Sequence, residues 1–212
     1  MTELVPTLVV LVPAVPLAGM MLALLARSPR QADGLAIATA IPTAAAALLL
    51  AAIALARGGQ PPLRGHWYLI DGASGALLAV VAVVGLCSTL VSPTYLRTGG
   101  RSWTTAARSR SLYYAALFLF WAALLAVPLI GNLAAAWLIV EATTAASALL
   151  VAFSGRRDAL EAGWKYLLLT TLGLSVAFLG IIVLAIGQAN AGHHDLHALD
   201  WHALQLAAHT MP

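Results

Sequence analysis

The sequence has little charge. Of its 212 residues, 9% are Asp, Glu, Lys or Arg, and 61% are apolar. An average soluble domain is about 25% charged and about 45–50% apolar. A disordered chain needs high charge and low hydrophobicity, so disorder is excluded. A soluble globular domain is excluded too: with a mean hydropathy of +0.91, a fold of this size cannot hide its apolar surface. The net charge of +3 is too small for a nucleic-acid-binding surface. Cysteine is also scarce. Cys87 stands alone inside an apolar run, which excludes a disulfide framework and a cysteine-rich metal site. There is no phosphate-cradling loop, nucleophile elbow, CxxC pair or nicotinamide fingerprint. Gly58-Gly59 and Gly99-Gly100 are isolated loop glycines. Nothing here holds a redox cofactor by its own ligands.

What the sequence does have is long apolar runs. A membrane-crossing helix needs roughly 20 such residues, and six stretches qualify: 4–26, 34–56, 75–96, 112–130, 133–153 and 159–187. The predicted fold class is all-α, a polytopic membrane protein with six transmembrane helices. Residues 1–187 form the membrane domain, and 188–212 form a tail. The first run follows Glu3 with no Lys or Arg before it, so it reads as a retained span rather than a cleaved signal. Pro6, Pro13, Pro16, Pro42 and Pro128 predict kinks, which spans tolerate where neighbours re-satisfy the freed carbonyls.

Placement of the charges gives orientation. Alternate connections carry Arg27 and Arg30, then Arg97, Arg101, Arg108 and Arg110, then Arg156 and Arg157. The connections between them carry only Arg57 and Arg64, and no Lys or Arg follows 187. By the positive-inside rule, loops 27–33, 97–111 and 154–158 are cytoplasmic. The N-terminus and the 188–212 tail then lie outside. The tail holds His193, His194, Asp195, His197, His202 and His209. His193 and His197 are one turn apart, but nothing fixes two further metal ligands. A short amphipathic surface helix is the plainer reading.

Two residues do not belong in lipid. Glu141 lies eight residues into the fifth span, roughly 12 Å deep at 1.5 Å per residue. A central charge there costs about 2.5–3.5 kcal/mol, so its default reading is functional. Desolvation favours its neutral form and a nearby cation its charged form, which suits a proton relay. Lys165, the only lysine, lies about seven residues into the sixth span. It is offset from Glu141 by about 8 Å in height. Glu161 stands one turn before it and is a nearer partner. Thr143, Thr144 and Ser147 on the fifth span, and Thr170, Thr171 and Ser175 on the sixth, are candidates to relay between charges or to pack the helices. Trp137, one turn before Glu141, is placed to wall the site. Asp33 and Arg110 read as loop charges.

The stretch 131–166 carries a resemblance. Gly131-Asn132-Leu133 is followed by Trp137, Glu141-Ala-Thr-Thr, Ser147, Leu149-Leu150 and Phe153, then by Ala159-Leu-Glu-Ala-Gly-Trp-Lys-Tyr. This resembles the antiporter-like proton-channel subunits shared by respiratory complex I, Mrp-type cation/proton antiporters and membrane-bound nickel–iron hydrogenases. The Glu-Ala-Thr-Thr and Trp-Lys-Tyr variants look most like the large membrane subunit of the formate hydrogenlyase, hydrogenase-four type. The resemblance implies a non-catalytic membrane subunit of a redox-driven proton-translocating complex in a prokaryotic inner membrane, contributing part of a proton half-channel. Glu141 and Lys165 map onto the family's fifth-helix glutamate and sixth-helix lysine. This chain would bind no cofactor itself; nickel–iron, iron–sulfur clusters, flavin or quinone would sit in partner subunits. Alternatives are an Mrp-type antiporter component and a non-conducting structural subunit. Family members continue with a broken seventh helix and a second inverted repeat. This sequence stops at Met211-Pro212, so the expectation is a fragment, a truncated product or a split subunit completed by another chain.

Overall fold

A computed structural model describes residues 4–57, 60–65, 67–98, 107–153, 157–190 and 196–208. Its helices are α1 (Leu4–Leu24), α2 (Pro29–Ala56), α3 (Gly72–Thr98), α4 (Ala107–Ala126), α5 (Leu133–Ala152), α6 (Arg157–Asn190) and α7 (Trp201–Ala208). Two-residue strands β1 (Leu63–Arg64) and β2 (Leu69–Ile70) pair antiparallel between α2 and α3. Helices α1 to α6 supply six segments long and apolar enough to cross a membrane.

Local chemistry sets the helix ends. Ser28 caps α2, its Oγ accepting from Gln31 N at 3.2 Å, and Pro29 occupies the first helical position. Ser and Pro in that order are a helix start: the hydroxyl satisfies an orphan N–H, and the ring's fixed φ suits the first turn. α2 therefore begins five residues earlier than its apolar run, and Asp33 lies within it. Asp71 caps α3, accepting from Ser74 N at 2.8 Å. That N–H bond holds the Asp71 carboxyl below its usual range. Pro128 does not kink a span. α4 ends at Ala126 and Pro128 sits in a 3-10 turn, Val127–Leu129. A proline just past the last α-helical residue cannot continue the helix and ends it instead of bending it. Pro13 and Pro16 lie inside α1, Pro42 inside α2 and Pro93 inside α3.

The core gathers around α4. Tyr114, Phe118, Trp121 and Leu125 repeat every three or four residues along one stripe and are fully buried, the spacing of a helix face. α1 and α2 pack on this stripe, α3 packs on α2, α5 on α4, and α6 along α5. α2 presents Ala32, Ala36, Ala40, Ala44, Ala47 and Ala51 to its neighbours. Small residues let membrane helices approach closely, where packing rather than water exclusion drives association. Gly85 on α3 serves one such approach. A Cβ there would stand 2.1 Å from the Trp121 ring. The bare backbone lets the indole N–H reach Val81 O at 3.1 Å.

The connections sort to two poles. At one, Tyr68 bridges Ile130, Gly131 N donates to Trp67 O at 3.0 Å, and Trp201 N donates to Gly131 O at 3.0 Å. The β-hairpin, the α4–α5 turn and the tail segment are thus one patch. At the other, the start of α2, the end of α3 and the start of α4 meet through Asp33, Arg97 and Arg110. Of the charges read as loop residues, Asp33 and Arg110 are buried in helices, each under a tenth exposed. Arg101, Arg156, Glu3, His193, His194, Asp195 and His209 lie outside the described residues.

Candidate functional site

The site lies between α5 and α6. Asn132 caps α5, its Oδ1 accepting from Ala134 N and Ala135 N at 3.1 and 3.2 Å. The two helices run antiparallel and close together. Gly163 on α6 faces Ala148 O and the Ala152 methyl, where a Cβ would be 3.3 and 3.2 Å away. Their register follows from three cross-helix bonds. Trp137 Nε1 donates to Leu174 O at 2.8 Å, Thr171 Oγ1 donates to Glu141 Oε1 at 3.0 Å, and Ser147 Oγ lies 3.1 Å from the Tyr166 hydroxyl.

Glu141 is half-buried on α5. Oε1 has its Thr171 donor. Oε2 is enclosed and meets no hydrogen-bond donor among the described residues. Trp137, one turn away on α5, stacks on Phe178 with ring centroids 4.4 Å apart.

Thr171 reaches across the interface. Ser147 does so too, but it also bonds to Thr144 O of its own helix at 2.9 Å. The other four bond to carbonyls of their own helix: Thr143 and Thr144 to Val140 O, Thr170 to Tyr166 O and Ser175 to Thr171 O. Such back-bonding satisfies a hydroxyl locally. Lys165 pairs with Glu161, as their four-residue spacing predicts, and both are about two-thirds exposed on α6. The ammonium is not paired with Glu141. It is six residues from Thr171, about 9 Å along the helix.

Two features escape a reading of the sequence. Tyr166 sits in the quoted Trp-Lys-Tyr motif, yet only the helix register places its hydroxyl on Ser147. The second is a buried cluster at the opposite end of the α5–α6 site from the α5 cap. Arg110 Nη1 donates to both Asp33 oxygens at 2.8 and 2.6 Å, and the Tyr114 hydroxyl donates to Oδ1 at 2.9 Å. Arg97 adds a contact at 3.5 Å. The signals for it were Ser28-Pro29, which starts α2 early, and the four-residue spacing that puts Arg110 and Tyr114 on one face of α4. At the hairpin pole, Asn132 Nδ2 donates to Asp200 Oδ1 at 2.7 Å, and Asp200 Oδ2 lies 3.1 Å from His197 Nδ1. The tail thus grips the cap of the helix that carries Glu141. No group of three metal-ligating side chains occurs among the described residues.

Comparison with known proteins agrees with this architecture. Over 208 residues the chain is 30% identical to NADH-quinone oxidoreductase subunit N of Desulforudis audaxviator, which covers 94% of this chain and 40% of that protein. Over 146 residues it is 26% identical to a Hydrogenase-4 component F homolog of Methylacidiphilum infernorum, covering 67% of this chain and 29% of that protein. The chain spans well under half the length of these curated relatives. No family model matches it. Of the three branches named by the sequence resemblance, the complex I and hydrogenase branches are represented by these relatives, and the chain is a multi-pass membrane protein homologous to the antiporter-like subunits of complex I and hydrogenase-4.

Proposed function

We propose that this chain contributes part of a proton half-channel to a redox-driven, proton-translocating membrane complex of the NADH-quinone oxidoreductase or hydrogenase type. The observation that carries this reading is the Glu141 carboxyl between α5 and α6, with one oxygen on Thr171 and the other enclosed without a donor. Thr171 donates to a carboxylate and, more weakly, to the carbonyl oxygen of a neutral carboxyl, so the bond can persist in both protonation states. Oε2 is the oxygen on which a proton comes and goes.

Lys165 and Glu161 set the charge near this site. Lys165 stands about 9 Å along α6 from Thr171, the residue that bonds Glu141. Breaking or reforming the Lys165–Glu161 pair changes the field at Glu141 and hence its proton affinity. Ser147 and Tyr166 lie between that pair and Glu141 along the interface.

The basic loops face the cytoplasm and the hairpin pole faces outward, across a prokaryotic inner membrane. Residues 1–187 are the membrane unit, and 188–212 lie on the outer side. Redox centres such as nickel–iron, iron–sulfur, flavin or quinone belong to partner subunits. Further membrane helices cover α6, whose Leu169, Leu172, Val176 and Val183 are each more than 60% exposed.

The experiment is Glu141→Gln in the assembled, purified complex reconstituted into vesicles. Proton uptake coupled to electron transfer falls at least about tenfold, the scale of losing one positioned proton carrier. Pumping at the wild-type rate in a fully assembled complex would refute the assignment.

A further inference from the structure

We propose that the groove between the start of α1, the end of α2 and the β-hairpin binds an anionic phospholipid, its phosphate held between Arg57 and Arg64. The cavity measures about 580 Å³, within the range of small-ligand sites. Val5, Ile53 and Leu63 form an apolar wall, and the two guanidiniums and Tyr68 supply the polar side. No carboxylate lines it among the described residues.

The position in the fold argues for a lipid rather than a soluble ligand. Ile53 is three residues from the end of α2 and Val5 is the second residue of α1, so the apolar wall lies within about 5 Å of both helix ends. This is where a bilayer's headgroups meet its acyl chains. Trp67 and Trp201, about two-fifths exposed, stand at the same pole, and exposed tryptophans mark that interface. Leu4 and Val10 on α1 and Leu55 on α2, the helices that contribute to the wall, are exposed apolar residues. An acyl chain entering the groove leaves along a surface already suited to lipid.

The charges are available. Arg57 Nη2 donates to Pro61 O at 3.3 Å, which fixes the side chain at the rim without neutralising it. Arg64 is exposed on β1. Among the described residues, the acids lining the adjoining cavities are bonded elsewhere. Asp71 lines the adjoining cavity with Arg57 but is bonded to Ser74 N. Asp200 lines another with Arg64 but is bonded to Asn132 and His197. Neither acid forms an ion pair with either arginine among the described residues. Both arginines line this one groove, and a guanidinium suits phosphate oxygens because its planar fork donates in pairs.

Native mass spectrometry of the complex tests this, after exchange into detergent and titration with phosphatidylglycerol or phosphatidylcholine. The wild type retains phosphatidylglycerol in preference to phosphatidylcholine. The double variant R57Q/R64Q binds it about 30-fold more weakly, the loss of two interfacial cation contacts. Millimolar inorganic phosphate does not displace the lipid. Unchanged retention by the variant overturns the proposal, as does equal affinity for both lipids. Displacement by phosphate makes this a soluble-anion site and overturns the lipid assignment. Should the double variant fail to assemble, a photoactivatable phosphatidylglycerol on the wild-type complex settles the location. Label on peptides containing Val5 or Ile53 supports the groove; label confined to other regions refutes it.

Discussion

At the residue scale, the bond between Thr171 and Glu141 makes the sharpest prediction. Thr171→Val keeps the shape of the side chain and removes the hydroxyl. It leaves both Glu141 oxygens without a donor, whereas Thr171→Ser keeps the donor. A hydrogen bond to a charged group is worth about 1.5–3 kcal/mol. Thr171→Val therefore slows coupled proton uptake by roughly tenfold or more in the reconstituted complex, and Thr171→Ser stays close to wild type. Equal rates for all three would leave the hydroxyl without a role in proton transfer. Glu141 itself was legible in the sequence, because a carboxylate at mid-membrane is expensive enough to stand out. Its donor was not. Thr171 was one of several hydroxyls on two helices, and only the register between α5 and α6 separates it from Ser175, which bonds to its own helix. Lys165 was read with its nearer partner Glu161 because four-residue spacing on one helix is local information.

At the element scale, the Asp33–Arg110–Tyr114 cluster joins α2 to α4. All three side chains are buried, Tyr114 completely. Removing one member of a buried ion pair leaves the other charge without compensation, which costs about 3–5 kcal/mol. Asp33→Ala consequently lowers the melting temperature of the detergent-purified protein strongly. Pairing it with Arg110→Leu recovers much of the loss, because no charge is then stranded. A single variant that melts like wild type would show that the cluster carries no stability. The six spans were legible because apolar runs of that length have no other use, and Asn132 was legible as the start of α5. The early start of α2 was written in Ser28-Pro29 but masked by the polar residues that follow. The β-hairpin was not legible. Strands of two residues are too short for alternation, and their pairing depends on the contacts of Tyr68 and Gly131 with the α4–α5 turn.

At the scale of the whole molecule, the division into two poles turns the charge pattern into a statement about sidedness. Hydrogen bonds place the hairpin, the α4–α5 turn and the tail segment together, and these are the connections with little positive charge. The ion-paired helix ends gather where the arginine-rich loops begin. An even number of crossings requires the start of α1 and the end of α6 to share a side, and the proposed sidedness, read from the alternation of charge, puts that side outside. Single-cysteine labelling reads it directly. The native Cys87 is exposed on α3, so it is first replaced by Ser. Cysteines are then introduced at Gln60, His202, Leu25 and Asp158, all exposed, and none of these changes removes a loop arginine. A membrane-impermeant maleimide labels Gln60→Cys and His202→Cys in intact cells, and Leu25→Cys and Asp158→Cys only after the membrane is opened. The reverse pattern would place the basic loops outside and turn the proposed half-channel to face the other way. Labelling of one member of each pair from the same side is incompatible with six crossings. It would detach the hairpin pole from the membrane surface, and the outward-facing lipid groove would fall with it.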